Sequence, residues 1–205
     1  MPAKIDPAKT ALIILDLQND VIMEGGAFAD SGAPAHAKSQ NVVENVKRLA
    51  AAMREKGGQV VHIHHFGNQG SSHDRDSKQN AGLYRSVREV GALQAGSWGA
   101  APVEGLEPQD GDIVIQKQRM GGFSHTPLDI KLRGLGAEKI IVTGAWTNMS
   151  VEMTTRQGAD NGYEVVVVSD GTSTIDDEWQ KAALEYAIPN LAEVATTDEV
   201  IAAIG

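Results

Sequence analysis

A carboxylate, an ammonium group and a hydroxyl each follow an apolar run of the chain. Asp16 lies at the end of the first run, Lys117 follows Ile113-Val114-Ile115-Gln116, and Ser150 follows a turn that begins at Gly144. A carboxylate can remove a proton from a nucleophile, and a lysine can keep that carboxylate charged. Backbone N–H groups at the start of a helix can bind an oxyanion. These residue types indicate an acyl-transfer site.

Each of these residues also has a simpler interpretation when it is considered alone. Asp16 could cap a helix or make a turn, Lys117 could extend along the surface with its ammonium group in water, and Ser150 could be a capping hydroxyl. The catalytic interpretation requires all three side chains to leave the same edge of one sheet.

Six short apolar runs are predicted to be strands of a buried parallel sheet. They are Ala11 to Leu17, Val60 to Ile63, Ile113 to Ile115, Ile140 to Val142, Val165 to Val168, and a weaker Leu191 to Ala195. The carboxyl ends of parallel strands lie at one edge of a sheet, where ligands bind in open α/β folds. The three candidate residues are therefore expected to converge there.

Helical spacing of apolar residues separates the predicted strands. The predicted helices are Asn41 to Lys56, Pro127 to Leu135 and Trp179 to Ala187. Alternating strands and helices predict helices on both faces of one sheet, in a single domain spanning residues 1–205. The irregular segments Val21 to Pro34 and Gly67 to Gly111 are predicted to form lids, binding loops or subunit contacts.

Composition argues against several classes of partner. The net charge of -9 and the absence of a basic stripe with interleaved aromatic residues argue against nucleic acid. No stretch approaches the roughly 20 apolar residues that a membrane-spanning helix needs, and residues 1–10 do not resemble a signal peptide. A cytoplasmic protein is therefore expected. The chain contains no cysteine, which excludes disulfides and thiolate metal sites.

Three motifs carry a resemblance to a known family. They are Asp16-Leu17-Gln18-Asn19-Asp20, Lys117 followed by Phe123, Thr126 and Leu128, and the run from Val142 to Glu152. In order and spacing they resemble the isochorismatase-like cysteine hydrolase superfamily, from residue 10 to about residue 175. The resemblance implies a three-layer α/β/α sandwich around a six-stranded, mainly parallel sheet. It also implies hydrolysis of amides, ureides or, with an altered triad, vinyl ethers.

The same resemblance implies roles for the candidate residues. Asp16 would be the general base, Lys117 the second member of the triad, and Ser150 would stand at the position of the nucleophile. A cis peptide bond between Ala145 and Trp146 is also implied, which would turn the Trp146 N–H toward the pocket. Together with the Ser150 N–H it would form the oxyanion hole.

Serine at position 150 departs from the family pattern, in which the nucleophile is a cysteine. A thiol ionises near pH 8.5, whereas an alcohol is a far weaker acid. Three interpretations stay open: an engineered Cys-to-Ser replacement, a natural serine in a slow or specialised hydrolase, and a non-catalytic relative that binds a small ligand.

Four residues near the motifs are candidates for substrate binding. Phe123 and Trp146 could form flat apolar walls or could be core residues, and Arg119 could bind a carbonyl or carboxylate. One of His64 or His65 is expected to face the pocket as a hydrogen-bond donor, with His65 the candidate. A small planar amide or ureide would suit these residues. The residues of the Lys117 to Phe123 and Gly144 to Glu152 motifs most resemble those of family members acting on biuret, triuret or ureidoacrylate.

No metal or other cofactor is predicted. His62, His64 and His65 lie on one strand and His73-Asp74 follows in a loop, but a metal site needs three or four converging ligands. The resemblance suggests a homodimer or homotetramer in which the segment from Leu83 to Trp98 covers a neighbour's pocket. The expected partner is a small amide or ureide, without nucleic acid or membrane.

Overall fold

The six apolar runs form six strands in a computed structural model that describes residues 2–66 and 82–205. The strands are β1 (Thr10–Leu15), β2 (Gln59–His65), β3 (Ile113–Lys117), β4 (Lys139–Ala145), β5 (Glu164–Ser173) and β6 (Glu193–Ala195). The sequence prediction extended the first strand to Leu17, which is wrong. β1 ends at Leu15 because Asp16 takes a left-handed backbone conformation with φ of 52°.

All neighbouring strands of the sheet run parallel, in the order β3-β2-β1-β4-β5-β6. The chain builds the sheet outward from β1 to β3 and then returns to the other side of β1 with β4. Beyond the carboxyl ends of β1 and β4 lies the topological switch point, where open α/β sheets form their ligand crevice.

Alternate residues of β1 bury two separate cores. Leu12 and Ile14 pack into one apolar cluster, and Ala11, Ile13 and Leu15 pack into a second cluster on the opposite face of the sheet. A strand that is buried on both faces is continuously apolar, which is the pattern of β1. The sheet is therefore the middle layer of three.

Helices cover both faces of the sheet. They are α1 (Asn19–Ile22), α2 (Ala33–Ser39), α3 (Val42–Glu55), α4 (Gly82–Glu89), α5 (Leu128–Gly134), α6 (Glu152–Asp160), α7 (Asp177–Lys181) and α8 (Thr197–Ala203). α3 contributes to the first core and α5 to the second. The predicted three-layer α/β/α sandwich is confirmed. None of the helices in the described ranges is long and apolar enough to cross a membrane.

One predicted helix and one segment predicted to be irregular differ from the structure. The predicted helix from Trp179 to Ala187 begins earlier, as α7, and continues as a π-helical turn over Ala182–Ala187. The irregular segment before residue 111 contains α4, whose bulky side chains pack on the first core. Residues 67–81 of that segment lie outside the described residues.

A glycine fixes the closest approach of β1 and β4. Gly144 pairs with Leu15 and has φ of 120°, and a Cβ added at this position would collide with the Leu15 carbonyl oxygen. Only glycine satisfies both constraints. The two strand ends that flank the crevice are therefore held in direct backbone contact.

A buried carboxylate ties α3 to the sheet. Asp112 accepts two hydrogen bonds from Arg54, at 3.2 and 2.6 Å, and lies 3.1 Å from Nε2 of His62 on β2. Burial lowers the pKa of His62 to about 4, even though Asp112 opposes the shift. His62 is therefore neutral at pH 7, and a neutral ring can donate its Nε2 proton to the carboxylate.

The lowered pKa of His62 predicts a pH-dependent stability. Between the unfolded pKa near 6.5 and the folded pKa near 4, the unfolded chain binds more protons, so acidification favours unfolding. When pH falls from about 7 to about 5, the free energy of unfolding should fall in both proteins. We expect the fall to be about 1–2 kcal/mol smaller in His62→Gln than in the parent protein. Urea denaturation at both pH values measures this difference. Equal losses in the two proteins would contradict the prediction.

Candidate active site

The carboxylate of Asp16 lies at the switch point between β1 and β4. Its left-handed backbone turns the chain out of the sheet, while its N–H still donates to the Ile63 carbonyl at 2.9 Å. The residue is buried, with 4% of its surface exposed. A buried carboxylate needs charged or polar partners, and two lie beside it.

The first partner is Lys117, the last residue of β3. Because β2 lies between β1 and β3, this side chain must reach past the end of β2 to meet Asp16. Its ammonium group lies 2.7 Å from Asp16 Oδ2 and 2.9 Å from Ser150 Oγ, and its side chain is fully buried. The structure thus brings together all three residues of the predicted triad.

Three further contacts surround the Lys117 ammonium group. It donates to the carbonyl oxygens of Arg119 and Met120, each at 3.1 Å, and lies 3.4 Å from Nδ1 of His65. An ammonium group has three N–H donors, so all of them are committed to protein atoms. Burial lowers the pKa of Lys117, and the charge of Asp16 opposes that shift.

The second partner of Asp16 is Ser150. Its hydroxyl lies 2.5 Å from Asp16 Oδ2 and 2.9 Å from the Met120 carbonyl oxygen. A hydroxyl has one proton, and the closer, charged acceptor is Asp16. The serine oxygen therefore touches both a base and a cation.

The turn that carries Ser150 differs from the one expected. The peptide bond between Ala145 and Trp146 is cis, as the family resemblance implies. Ser150 was expected on the first turn of an α-helix, which is wrong: it lies in a π-helical turn, Thr147–Val151, that leads into α6. Buried hydrogen bonds fix this turn, since Thr147 Oγ1 donates to Gln180 Oε1 at 2.5 Å.

The side chain of Gln18 holds the end of β2 in place. Its Oε1 accepts from the His65 N–H at 2.8 Å, and its Nε2 donates to the His65 carbonyl at 3.0 Å and to the Ala100 carbonyl at 2.7 Å. Gln18 was not among the predicted site residues. The sequence shows only a polar residue two positions after Asp16, and its full burial is seen in the structure.

His65 is neutral in this setting. Burial, and then the charges of Lys117 and Arg119, lower its pKa well below the usual value. With Nδ1 facing the Lys117 ammonium group, Nδ1 is assigned as the acceptor and Nε2 as the protonated nitrogen. His65 can therefore donate a hydrogen bond.

Asp16, His65, Trp146 and Ser150 line one small cavity of about 40 Å³. The rest of its wall is mainly apolar and includes Val21, Phe28, Leu83, Val87, Leu93 and Met149. The Phe28 and Trp146 rings meet edge to face at 5.6 Å.

Two predicted substrate-binding residues lie elsewhere. The Phe123 ring stacks on Tyr163 at 5.9 Å and packs against the second core, so the core alternative holds for this residue. Arg119 lines a separate cavity with Gln118 and His125. The Arg119 carbonyl accepts from the Lys117 ammonium group at 3.1 Å, while the Arg119 guanidinium donates to the Gln118 carbonyl at 3.0 Å.

Other expectations for this region concern metal and subunit contacts. The described ranges contain no group of three or more acidic or histidine side chains that could hold a metal. His73 and Asp74 lie outside the described residues. Leu83, Val87 and Leu93, from the segment expected to cover a neighbour's pocket, line the cavity of their own chain, and the contact with a neighbour stays a prediction.

A threonine links the Ser150 turn to the loop over Lys117. Thr154 Oγ1 donates to the Ser150 carbonyl at 2.6 Å and accepts from the Gly122 N–H at 2.8 Å. The next residue, Thr155, is equally buried, but its hydroxyl has no hydrogen-bond partner among the described residues. The chain thus offers two adjacent threonines that differ in this one respect.

Thr154→Val is expected to lower the free energy of unfolding by about 1–3 kcal/mol, because it leaves the Ser150 carbonyl and the Gly122 N–H without their partner. Thr155→Val is the matched control, and it should leave stability unchanged or raise it. Urea unfolding of both variants measures the difference. Equal changes in the two variants would contradict the proposed role of the Thr154 hydroxyl.

Comparisons with known proteins agree with this architecture. The isochorismatase domain model matches residues 10–199. A ureidoacrylate amidohydrolase of Yersinia enterocolitica is 36% identical over 193 residues, which cover 89% of this chain and 84% of that protein.

Two solved structures are also similar along nearly the whole length of this chain. A cysteine hydrolase from Pseudomonas syringae has a TM-score of 0.81 and 28% identity, covering 99% of this chain and 97% of that one. An isochorismatase family protein from Burkholderia thailandensis has a TM-score of 0.78 and 29% identity, covering 100% and 99%. The predicted family is confirmed: the chain belongs to the isochorismatase family.

Proposed function

We propose that this protein is an amidohydrolase that cleaves a C–N bond of a small amide or ureide, with Ser150 as its nucleophile. The supporting observation is the buried contact of the Ser150 hydroxyl with both Asp16, at 2.5 Å, and Lys117, at 2.9 Å, in the wall of a small cavity. The amidohydrolase name of the Yersinia relative and the hydrolase name of the Pseudomonas structure support the reaction class.

The first step is attack on the substrate carbonyl. Asp16 takes the hydroxyl proton of Ser150, and the serine oxygen forms a bond to the carbonyl carbon. Lys117 stabilises negative charge on the serine oxygen as the proton leaves. The carbonyl oxygen becomes an oxyanion, for which we assign the backbone N–H groups of Trp146 and Ser150 as donors.

The second step expels the amine and the third restores the enzyme. The tetrahedral intermediate collapses, the C–N bond breaks, and the leaving nitrogen takes the proton from Asp16 as ammonia or an amine. An ester on Ser150 remains. Asp16 then takes a proton from water, the hydroxide attacks the ester, and the returning proton regenerates the Ser150 hydroxyl. Each step moves one proton through Asp16.

Serine makes the first step harder than cysteine would. An alcohol loses its proton far less readily than a thiol, whose ordinary pKa is near 8.5. The full burial of the Asp16–Lys117 pair partly offsets this difference, since electrostatic interactions are stronger away from water. We therefore expect slow turnover by the serine form and faster turnover after Ser150→Cys.

The nucleophile assignment predicts the behaviour of three variants. Ser150→Ala should lower kcat for ammonia release from small amides and ureas by about 100-fold or more, because no oxygen is left to attack the carbonyl. Ser150→Cys should match or exceed the parent rate. Ser173→Ala is the control, since this buried hydroxyl has no partner among the described residues and should be dispensable.

Mass spectrometry of the acid-quenched parent protein should find the acyl group on Ser150.

Two outcomes would contradict the proposal in different ways. If Ser150→Ala releases ammonia as fast as the parent protein, Ser150 is not the nucleophile. If neither the serine nor the cysteine form releases ammonia while a small amide raises Tm, the protein is a ligand-binding relative without hydrolase activity.

A further inference from the structure

Much of the cavity wall is apolar. Leu83 and Val87 come from α4, Leu93 from the segment after it, and Phe28 from the segment after α1. These side chains face the space that the acyl or N-substituent of a substrate would fill. Transfer of apolar surface into such a wall is favourable, whereas a charged group would lose its hydration there.

Among the described residues, the cations nearest the site already make other contacts. Lys117 is fully buried, and its three N–H donors already meet Asp16, Ser150 and backbone carbonyls. Arg119 lines the separate cavity rather than this one. Among the described residues, the lining of this cavity therefore includes an anion, Asp16, and no cation that could pair with a substrate carboxylate. A negatively charged substrate would be repelled by Asp16, and no cation of the described lining would offset that repulsion.

One polar atom of the site still needs a partner. Asp16 Oδ2 contacts Lys117 and Ser150, but the other carboxylate oxygen, Oδ1, is buried and has no hydrogen-bond partner among the described residues. A buried acceptor in a ligand cavity is suited to an N–H of the ligand. The NH₂ group of a primary amide or of a terminal urea can supply that donor, and a fully substituted nitrogen cannot.

From these observations we infer that the preferred substrate is an uncharged primary amide or terminal urea with a small, branched apolar group. The inference rests on the proposed function and narrows it to one substrate class. It separates this chain from the Yersinia relative, whose name specifies ureidoacrylate, a carboxylate-bearing substrate. The apolar wall would hold the branched group while Asp16 Oδ1 accepts from the NH₂ group.

Pairs of compounds with the same shape test this inference. In the amide pair, 4-methylpentanamide carries an isopropyl group where succinamate carries a carboxylate. In the urea pair, 3-methylbutylurea carries an isopropyl group where 3-ureidopropionate carries a carboxylate. We expect kcat/KM for ammonia release to be about 100-fold higher for the uncharged member of each pair. N,N-dimethyl-4-methylpentanamide, which cannot donate a hydrogen bond to Asp16, should release no dimethylamine above background.

A substitution in the wall provides a second test. Leu83 is partly buried and lines the cavity, so Leu83→Arg would place a guanidinium within reach of a substrate carboxylate. We expect this variant to raise kcat/KM for succinamate relative to 4-methylpentanamide by about tenfold or more. Leu83→Gln, which is polar but uncharged, is the matched control and should weaken use of 4-methylpentanamide without improving that of succinamate.

The results separate this inference from the proposed function. Equal or faster release of ammonia from the carboxylate-bearing compounds would overturn the inferred substrate class and leave the hydrolase proposal intact. If no compound is cleaved, but 4-methylpentanamide raises Tm and succinamate does not, the apolar preference stands and the hydrolase proposal fails. If no compound is cleaved and none raises Tm, both are wrong.

Discussion

The buried ammonium group of Lys117 is the constraint on which the site depends. A charge removed from water is costly unless partners surround it, and Lys117 gathers Asp16, Ser150 and the carbonyls of Arg119 and Met120 around one atom. Those partners come from the residue after β1, from the turn after β4 and from the loop after β3. The need to satisfy one cation therefore draws three separate parts of the chain into contact.

Surrounding hydrogen bonds keep that arrangement rigid. Gln18 bonds both backbone groups of His65 beside the ammonium group, and Thr154 joins the Ser150 turn to Gly122. Gln180 holds Thr147 at the start of the same turn. Because these bonds are buried, loss of one partner would leave another polar group unsatisfied. The serine nucleophile that we propose would need this positioning more than a thiolate does, because its oxygen must be deprotonated as it attacks.

The sequence predicted the fold well because its strongest signals are local. Strands buried on both faces read as continuous apolar runs, so all six strands were found. Their ends were less accurate, as at Leu17, because the left-handed turn at Asp16 leaves no clear signal in an apolar run. The convergence of Asp16, Lys117 and Ser150 could also be predicted, since parallel strands share one carboxyl edge.

The sequence by itself determined the family, the layered sheet and the three residues that meet at its edge. Only the tertiary structure decided which neighbouring side chains face the cavity. It placed Phe123 on Tyr163 and Arg119 beside a second cavity, while Leu83 and Leu93, distant in sequence from Ser150, form the wall. The physical reason is that strand ends follow from local patterns, whereas the direction of a loop side chain depends on packing and on hydrogen bonds between distant segments.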